Sequence, residues 1–236
     1  MRWVIVAMAL SLSACGTKTT AARITELQIP EPATRASSFA SERVLVRRFT
    51  DARPREAGRS LGGAGLIAPT GYRSEYTNAY VQRGKYGSST VHYGWLPNDL
   101  PYLLARTLPG ENVVVADALP DAGAGSTWDY VVEGRLLTTR HTGWVHLGLA
   151  FLSALGTPGR FERYELAYEL SLYSTSSPGH PLLTRAYAFD DRVTIGLYYG
   201  RKRAERLPLR ALESVLADSA RDLVAEVEKH RARTAG

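Results

Sequence analysis

Tyr164-Glu165-Leu166-Ala167-Tyr168-Glu169-Leu170-Ser171-Leu172 alternates without a break. On an extended chain, Tyr164, Leu166, Tyr168, Leu170 and Leu172 face one way. Glu165, Ala167, Glu169 and Ser171 face the other. A strand with one apolar and one wetter face belongs to an antiparallel sheet covered on one side. Ser176-Ser177-Pro178-Gly179 then supplies turn chemistry, and Leu182 to Phe189 returns as the partner strand. Upstream, Trp128 to Thr139 reads as a third strand, rich in β-branched and aromatic residues.

Working outward, the period changes from two to 3.6. Leu209, Leu212, Leu216, Leu223 and Val227 form a stripe over Pro208 to His230, with Ser219-Ala220 in its middle. Pro208 suits a first helical turn, and Lys229, His230 and Arg231 suit the last, where cations complement the helix dipole. Asn98 to Leu108 is a shorter helix, with Asn98 as the expected N-cap and Leu100, Leu103, Leu104 and Leu108 on one face. Pro109-Gly110 ends it. Arg43 to Phe49 is a short buried strand, and Asn112 to Ala116 is a Val-rich strand. The expectation is an α+β fold, with a mixed, largely antiparallel sheet, a helix near 98–108 and a long closing helix near 208–230.

Three stretches invite functional readings. Gly58 to Gly71 is glycine-rich, but it opens no helix after its strand and lacks Gly-Lys-Ser/Thr, so a phosphate loop is rejected. Residues 71–95 form a Tyr-rich insertion carrying Tyr72, Tyr76, Tyr80, Tyr86, Tyr93 and Trp95, interleaved with Arg73, Arg83 and Lys85. Amphipathic rings beside cations are common at interfaces. Tyr72, Tyr76, Tyr80, Tyr86 and Trp95 are therefore candidate partner-binding residues, although strands packed on their own domain would use the same residues. Trp144 to Pro158 includes Val145-His-Leu-Gly-Leu-Ala-Phe-Leu-Ser-Ala-Leu155. It is too short to cross a bilayer, which needs about 20 residues. Core burial is the expectation; a lipid-dipping or partner-binding role would make Trp144 and Phe151 contact residues.

The amino terminus, Met1-Arg-Trp-Val-Ile-Val-Ala-Met-Ala-Leu-Ser-Leu-Ser-Ala-Cys15, has the layout of a secretory signal. Leu12-Ser13-Ala14-Cys15 resembles the lipobox of bacterial lipoproteins, whose cysteine is freed at its amino terminus and acylated. No second cysteine exists for a disulfide. The resemblance implies a signal peptide at 1–14, a lipidated tether at 15–41 and a single α+β periplasmic domain at 42–236. Gly16 is not the Asp that favours inner-membrane retention in such lipoproteins, so the outer membrane, facing the periplasm, is expected. As a flexible coil, the 26 residues from Gly16 to Ser41 would average roughly 25–30 Å end to end. Ile24, Leu27 and Ile29 within it could instead dock on the domain.

The formal charge of +6 becomes +5 once Arg2 leaves with the signal. Export makes nucleic acid an implausible counterpart of that modest excess, and anionic lipid or envelope polymers such as peptidoglycan fit better. Catalytic patterns are missing: there is no Gly-x-Ser-x-Gly and no Ser-x-x-Lys. The histidines are His92, His141, His146, His180 and His230. His141 and His146 are five apart and share no helix or strand face, so no metal is expected. Asp117, Asp121, Asp190 and Asp191 are scattered. No cofactor and no enzymatic activity are expected.

Arg43 to Asp51, Asn98 to Ala116, Trp128 to Thr139, Tyr164 to Phe189 and Pro208 to His230, with Asp129-Tyr130-Val131-Val132-Glu133-Gly134, resemble a group of envelope lipoprotein domains. These are the periplasmic domain of the curli-secretion lipoprotein, the activators of penicillin-binding proteins, and the amino-terminal domain of the Tol translocation protein. Auxiliary lipoproteins of ABC-type lipid transporters share much of that order. The resemblance implies a protein that binds, assembles or regulates. The leading expectation is a non-catalytic lipoprotein anchored through Cys15 that binds an envelope protein. The alternative is an auxiliary component of lipid transport.

Overall fold

The computed structural model describes residues 41–54, 59–61, 70–74, 79–80, 92–93, 96–116, 128–145, 152, 155–177 and 179–236. The strands are β1 (Val44–Arg47), β2 (Thr50–Asp51), β3 (Arg59–Leu61), β4 (Thr70–Ser74), β5 (Ala79–Tyr80), β6 (His92–Tyr93), β7 (Val113–Ala116), β8 (Tyr130–Val145), β9 (Arg160–Ser174) and β10 (Pro181–Ile195). The helices are α1 (Leu96–Thr107), α2 (Arg201–Glu205) and α3 (Leu207–Thr234).

β8 is the spine. One side pairs antiparallel with β9 along its whole length, from Tyr130↔Ser174 to Val145↔Arg160. Its other side is shared in turn by β1 at Tyr130, β2 at Arg135 and β4 at Val145. The main order is β10-β9-β8-β1-β7, with β1 parallel to both β7 and β8. Parallel strands need a crossover. α1 supplies it between β1 and β7, on the face that also carries α3.

The alternation of β9 has the expected consequence. Tyr164, Leu166, Tyr168, Leu170 and Leu172 are buried, and they join Leu100, Leu104, Leu212, Leu216, Leu223 and Val227 in one core. Ser219 and Ala220 keep the middle of the α3 stripe narrow. Into that space the Tyr168 hydroxyl donates to the Val215 carbonyl at 2.9 Å and lies 2.8 Å from Ser219 Oγ. On the opposite face, β8, β9 and β10 carry ion pairs, among them Arg140–Glu165 and Arg163–Asp190.

The fold class and both helices match the sequence reading, and four details change. α1 begins at Leu96, so Asn98 lies inside its first turn and is not the N-cap; Pro97, whose fixed φ suits a first turn, lets the helix start earlier. β8 runs six residues past Thr139, across an irregularity between Leu136 and Thr138. β10 continues through Asp190-Asp191 to Ile195, because those carboxylates are paired with Arg163 and Arg210. Finally, Leu152 and Leu155 are exposed and so depart from the expected core burial, while residues 146–151, 153 and 154 of that stretch lie outside the described residues.

Candidate functional site

β8, β9 and β10 all reach one end of the sheet, at Val145, Arg160 and Ile195. There the β8–β9 connection meets the turn leading from β10 into α2. Gly159 N–H donates to the Ile195 carbonyl at 3.1 Å, and the Tyr199 hydroxyl donates to the Gly156 carbonyl at 3.2 Å. The turn is built for close approach. Gly196 N–H donates to the Tyr199 carbonyl at 3.1 Å, and the Tyr199 ring covers Gly196 where a Cβ would stand. Gly200 has φ +81°, and a Cβ there would run into the Thr194 carbonyl.

This braced end presents apolar side chains to solvent. Leu155 is 81% exposed, Tyr198 76% and Leu197 61%, with Leu152 and Tyr199 beside them. Among the described residues these are five of the seven large apolar side chains that are exposed, so the patch is concentrated and not the scatter of an ordinary surface. Exposed Arg201, Lys202, Arg203 and Arg206 follow at once in the chain. Arg192 lies over the Phe161 ring at 4.6 Å.

Immediately inside this pole is a buried polar cluster. The buried Arg53 guanidinium donates to both carboxylate oxygens of Asp51, at 2.8 and 2.9 Å, and to Thr139 Oγ1 at 2.7 Å. His141 Nε2 lies 3.5 Å from Glu162 Oε2, and Arg160 pairs with the same carboxylate. Burial alone would raise the Glu162 carboxyl, but the His141 hydrogen bond and the Arg160 charge outweigh it and hold the group below its usual range. Burial pushes the Tyr164 hydroxyl up. The cluster pins residues 51–53 against β8 and ties β8 to β9. No group of three or more His, Cys, Asp or Glu that could hold a metal occurs among the described residues. No helix among them is long and apolar enough to cross a membrane.

The sequence-predicted site residues divide. Trp144 lies in β8, half-buried, opposite Phe161 of β9 and Gly71 of β4. Tyr72 lies in β4, paired in register with Gly143, two residues from the Val145 end of β8. Tyr80 lies in β5, paired with His92 of β6. Cys15, Tyr76, Tyr86, Trp95 and Phe151 lie outside the described residues. Leu155, Leu197 and Tyr198 were missed; the signal was a hairpin end rich in Leu and Tyr, visible only once β8 and β10 were followed to their full length.

No family model matches the chain, and no curated protein matches it. Among solved structures, it is similar to a Xanthomonas campestris protein of the family model DUF330, at 10% identity, covering 92% of this chain and 99% of that one, with a TM-score of 0.48. It is also similar to a Caulobacter crescentus protein described as a candidate lipoprotein, at 12% identity, covering 47% and 73% of the two chains, with a TM-score of 0.25. Neither superposition is close enough to assign a common fold. Neither description names the curli-secretion, penicillin-binding-protein-activator or Tol type.

Proposed function

We propose that this chain is a non-catalytic lipoprotein of the bacterial envelope, held to a membrane through acylated Cys15, that works by presenting its apolar pole. The observation that carries this reading is the braced cluster of Leu155, Leu197 and Tyr198, exposed at one end of the sheet. Apolar side chains held in water by a shaped turn mark a surface meant to be covered. Trp144, half-buried next to the last residue of β8, lies at the same end. The outer membrane, facing the periplasm, is the location we propose.

Two occupants fit such a pole. One is an envelope protein, as in an assembly or regulatory lipoprotein. The other is lipid, as in an auxiliary component of ABC-type lipid transport. Residues 142–159 contain no Asp, Glu, Lys or Arg. Charges are costly in an apolar phase, so an uncharged hairpin end favours lipid. Photocrosslinking in the native envelope tests the reading, with the reactive group placed at Tyr198 and, as a control, at Ala186 on β10. Adducts at 198 that are missing at 186 support the pole as the working surface. Equal labelling at both, or none at 198, would remove it.

A further inference from the structure

We infer that the apolar pole docks on the same bilayer that holds Cys15. Leu155, Leu197 and Tyr198 enter the interfacial layer, and Lys202 and Arg206 lie against acidic headgroups. The proposal rests on the reading of Cys15 as acylated. The three apolar side chains stand exposed at the end of a hairpin and a turn, and a fluid surface can cover them without a matching socket. Between 192 and 206 the chain carries five cations, Arg192, Arg201, Lys202, Arg203 and Arg206, against one carboxylate, Glu205. Lys202 and Arg206 form no ion pair among the described residues, and both are exposed. Apolar and aromatic side chains flanked by cations are the composition that binds acidic membrane surfaces.

The tether permits this arrangement and favours it. It joins the domain at the far end of the sheet, where Val44 pairs with Tyr130 and Arg231 of α3 pairs with Glu42. From Tyr130 to Val145, β8 spans roughly 50 Å. The 26 residues from Gly16 to Ser41 reach up to about 90 Å when extended, so they can run back along the domain while the pole touches the membrane. An anchored domain also meets its own bilayer at a high effective concentration, which makes a weak second contact sufficient.

Cys15 is the sole cysteine, so an acylated chain has no free thiol. Leu155→Cys, Tyr198→Cys and the control Ala186→Cys each give one labelling position on the intact protein. Each variant is labelled with an environment-sensitive fluorophore and reconstituted in phosphatidylcholine vesicles with or without phosphatidylglycerol, together with lipid carrying a quencher in the upper acyl chain. Quenching at 155 and 198 should exceed that at 186 by about threefold in phosphatidylglycerol vesicles. Lys202→Glu combined with Arg206→Glu should bring it down to the control level. Intact mass reports acylation separately. An acylated chain with equal or no quenching at the three positions ends the docking proposal and leaves the anchor intact. A chain without acyl groups ends the anchor reading, and with it a shared bilayer. A protein adduct from 198 in cells, without quenching in vesicles, assigns the pole to a protein partner instead.

Discussion

A methyl group at position 134 has no room: a Cβ there would stand 2.5 Å from three atoms of the Phe49 ring. Gly134→Ala should therefore destabilise the domain by about 1–3 kcal/mol, read from denaturant unfolding. Phe49→Leu should absorb part of that loss, because neighbouring substitutions couple. An unchanged midpoint in Gly134→Ala would mean the ring does not seat on the glycine. Glu162 makes a second prediction, with a sign that follows from its lowered pKa. Its carboxylate contributes stability that is present above the ordinary value of 4.5 and is lost as pH falls below it. Glu162→Gln should lower the melting temperature near neutral pH and flatten the acid-side loss; a parallel shift of the whole profile would show that the pair with His141 and Arg160 contributes nothing through charge. None of this was legible in the sequence. His141 and Glu162 are 21 residues apart, and only the β8–β9 register, which sets His141 opposite Tyr164 and Glu162 opposite Gly143, makes them diagonal neighbours on one face.

The elements were legible wherever their period was unbroken. β9 keeps strict alternation, and its apolar face is the core. β8 does not: Tyr130, Val132, Gly134 and Leu136 are buried on even numbers, whereas Thr139, His141 and Gly143 are buried on odd ones. The irregularity between Leu136 and Thr138 switches the phase, as a bulge does, so a period-two reading stops near Thr139 although the strand does not. β10 stopped short for another reason. Asp190-Asp191-Arg192 reads as a loop until Arg163 and Arg210 are seen across from it. For α3 the stripe alone sufficed, and it predicts a ranking. Leu216→Ala or Leu223→Ala should cost about 2–5 kcal/mol, since each removes a buried side chain from the core. Tyr168→Phe should cost only about 0.5–1.5 kcal/mol, the net worth of an ordinary hydrogen bond. Unfolding of the three variants in denaturant checks the order. If Tyr168→Phe were the worst, the helix would be held by its hydroxyl contacts rather than by packing.

At the scale of the whole molecule, the proposed anchor enters at one end of the sheet and the apolar side chains cluster at the other, and only the first was legible in the sequence. Cys15 and its tether are read from local pattern, whereas the apolar end emerges from the lengths of three strands that finish together. Leu152 and Leu155 read as core because they belong to an apolar run; their exposure depends on their place at the end of a hairpin. The separation of the poles makes the tether a measuring rod. Deleting residues 20–36 leaves 26 − 17 = 9 tether residues, which reach roughly 32 Å at most, short of the roughly 50 Å length of β8. In acylated protein carrying the label at Leu155→Cys, that deletion should abolish quenching by lipid while intact mass and membrane fractionation stay unchanged. Refilling the gap with seventeen Gly and Ser residues should restore the quenching, because reach rather than sequence is what was lost. Full quenching in the shortened chain would show that the pole meets a facing bilayer, and the shared-membrane arrangement would be wrong.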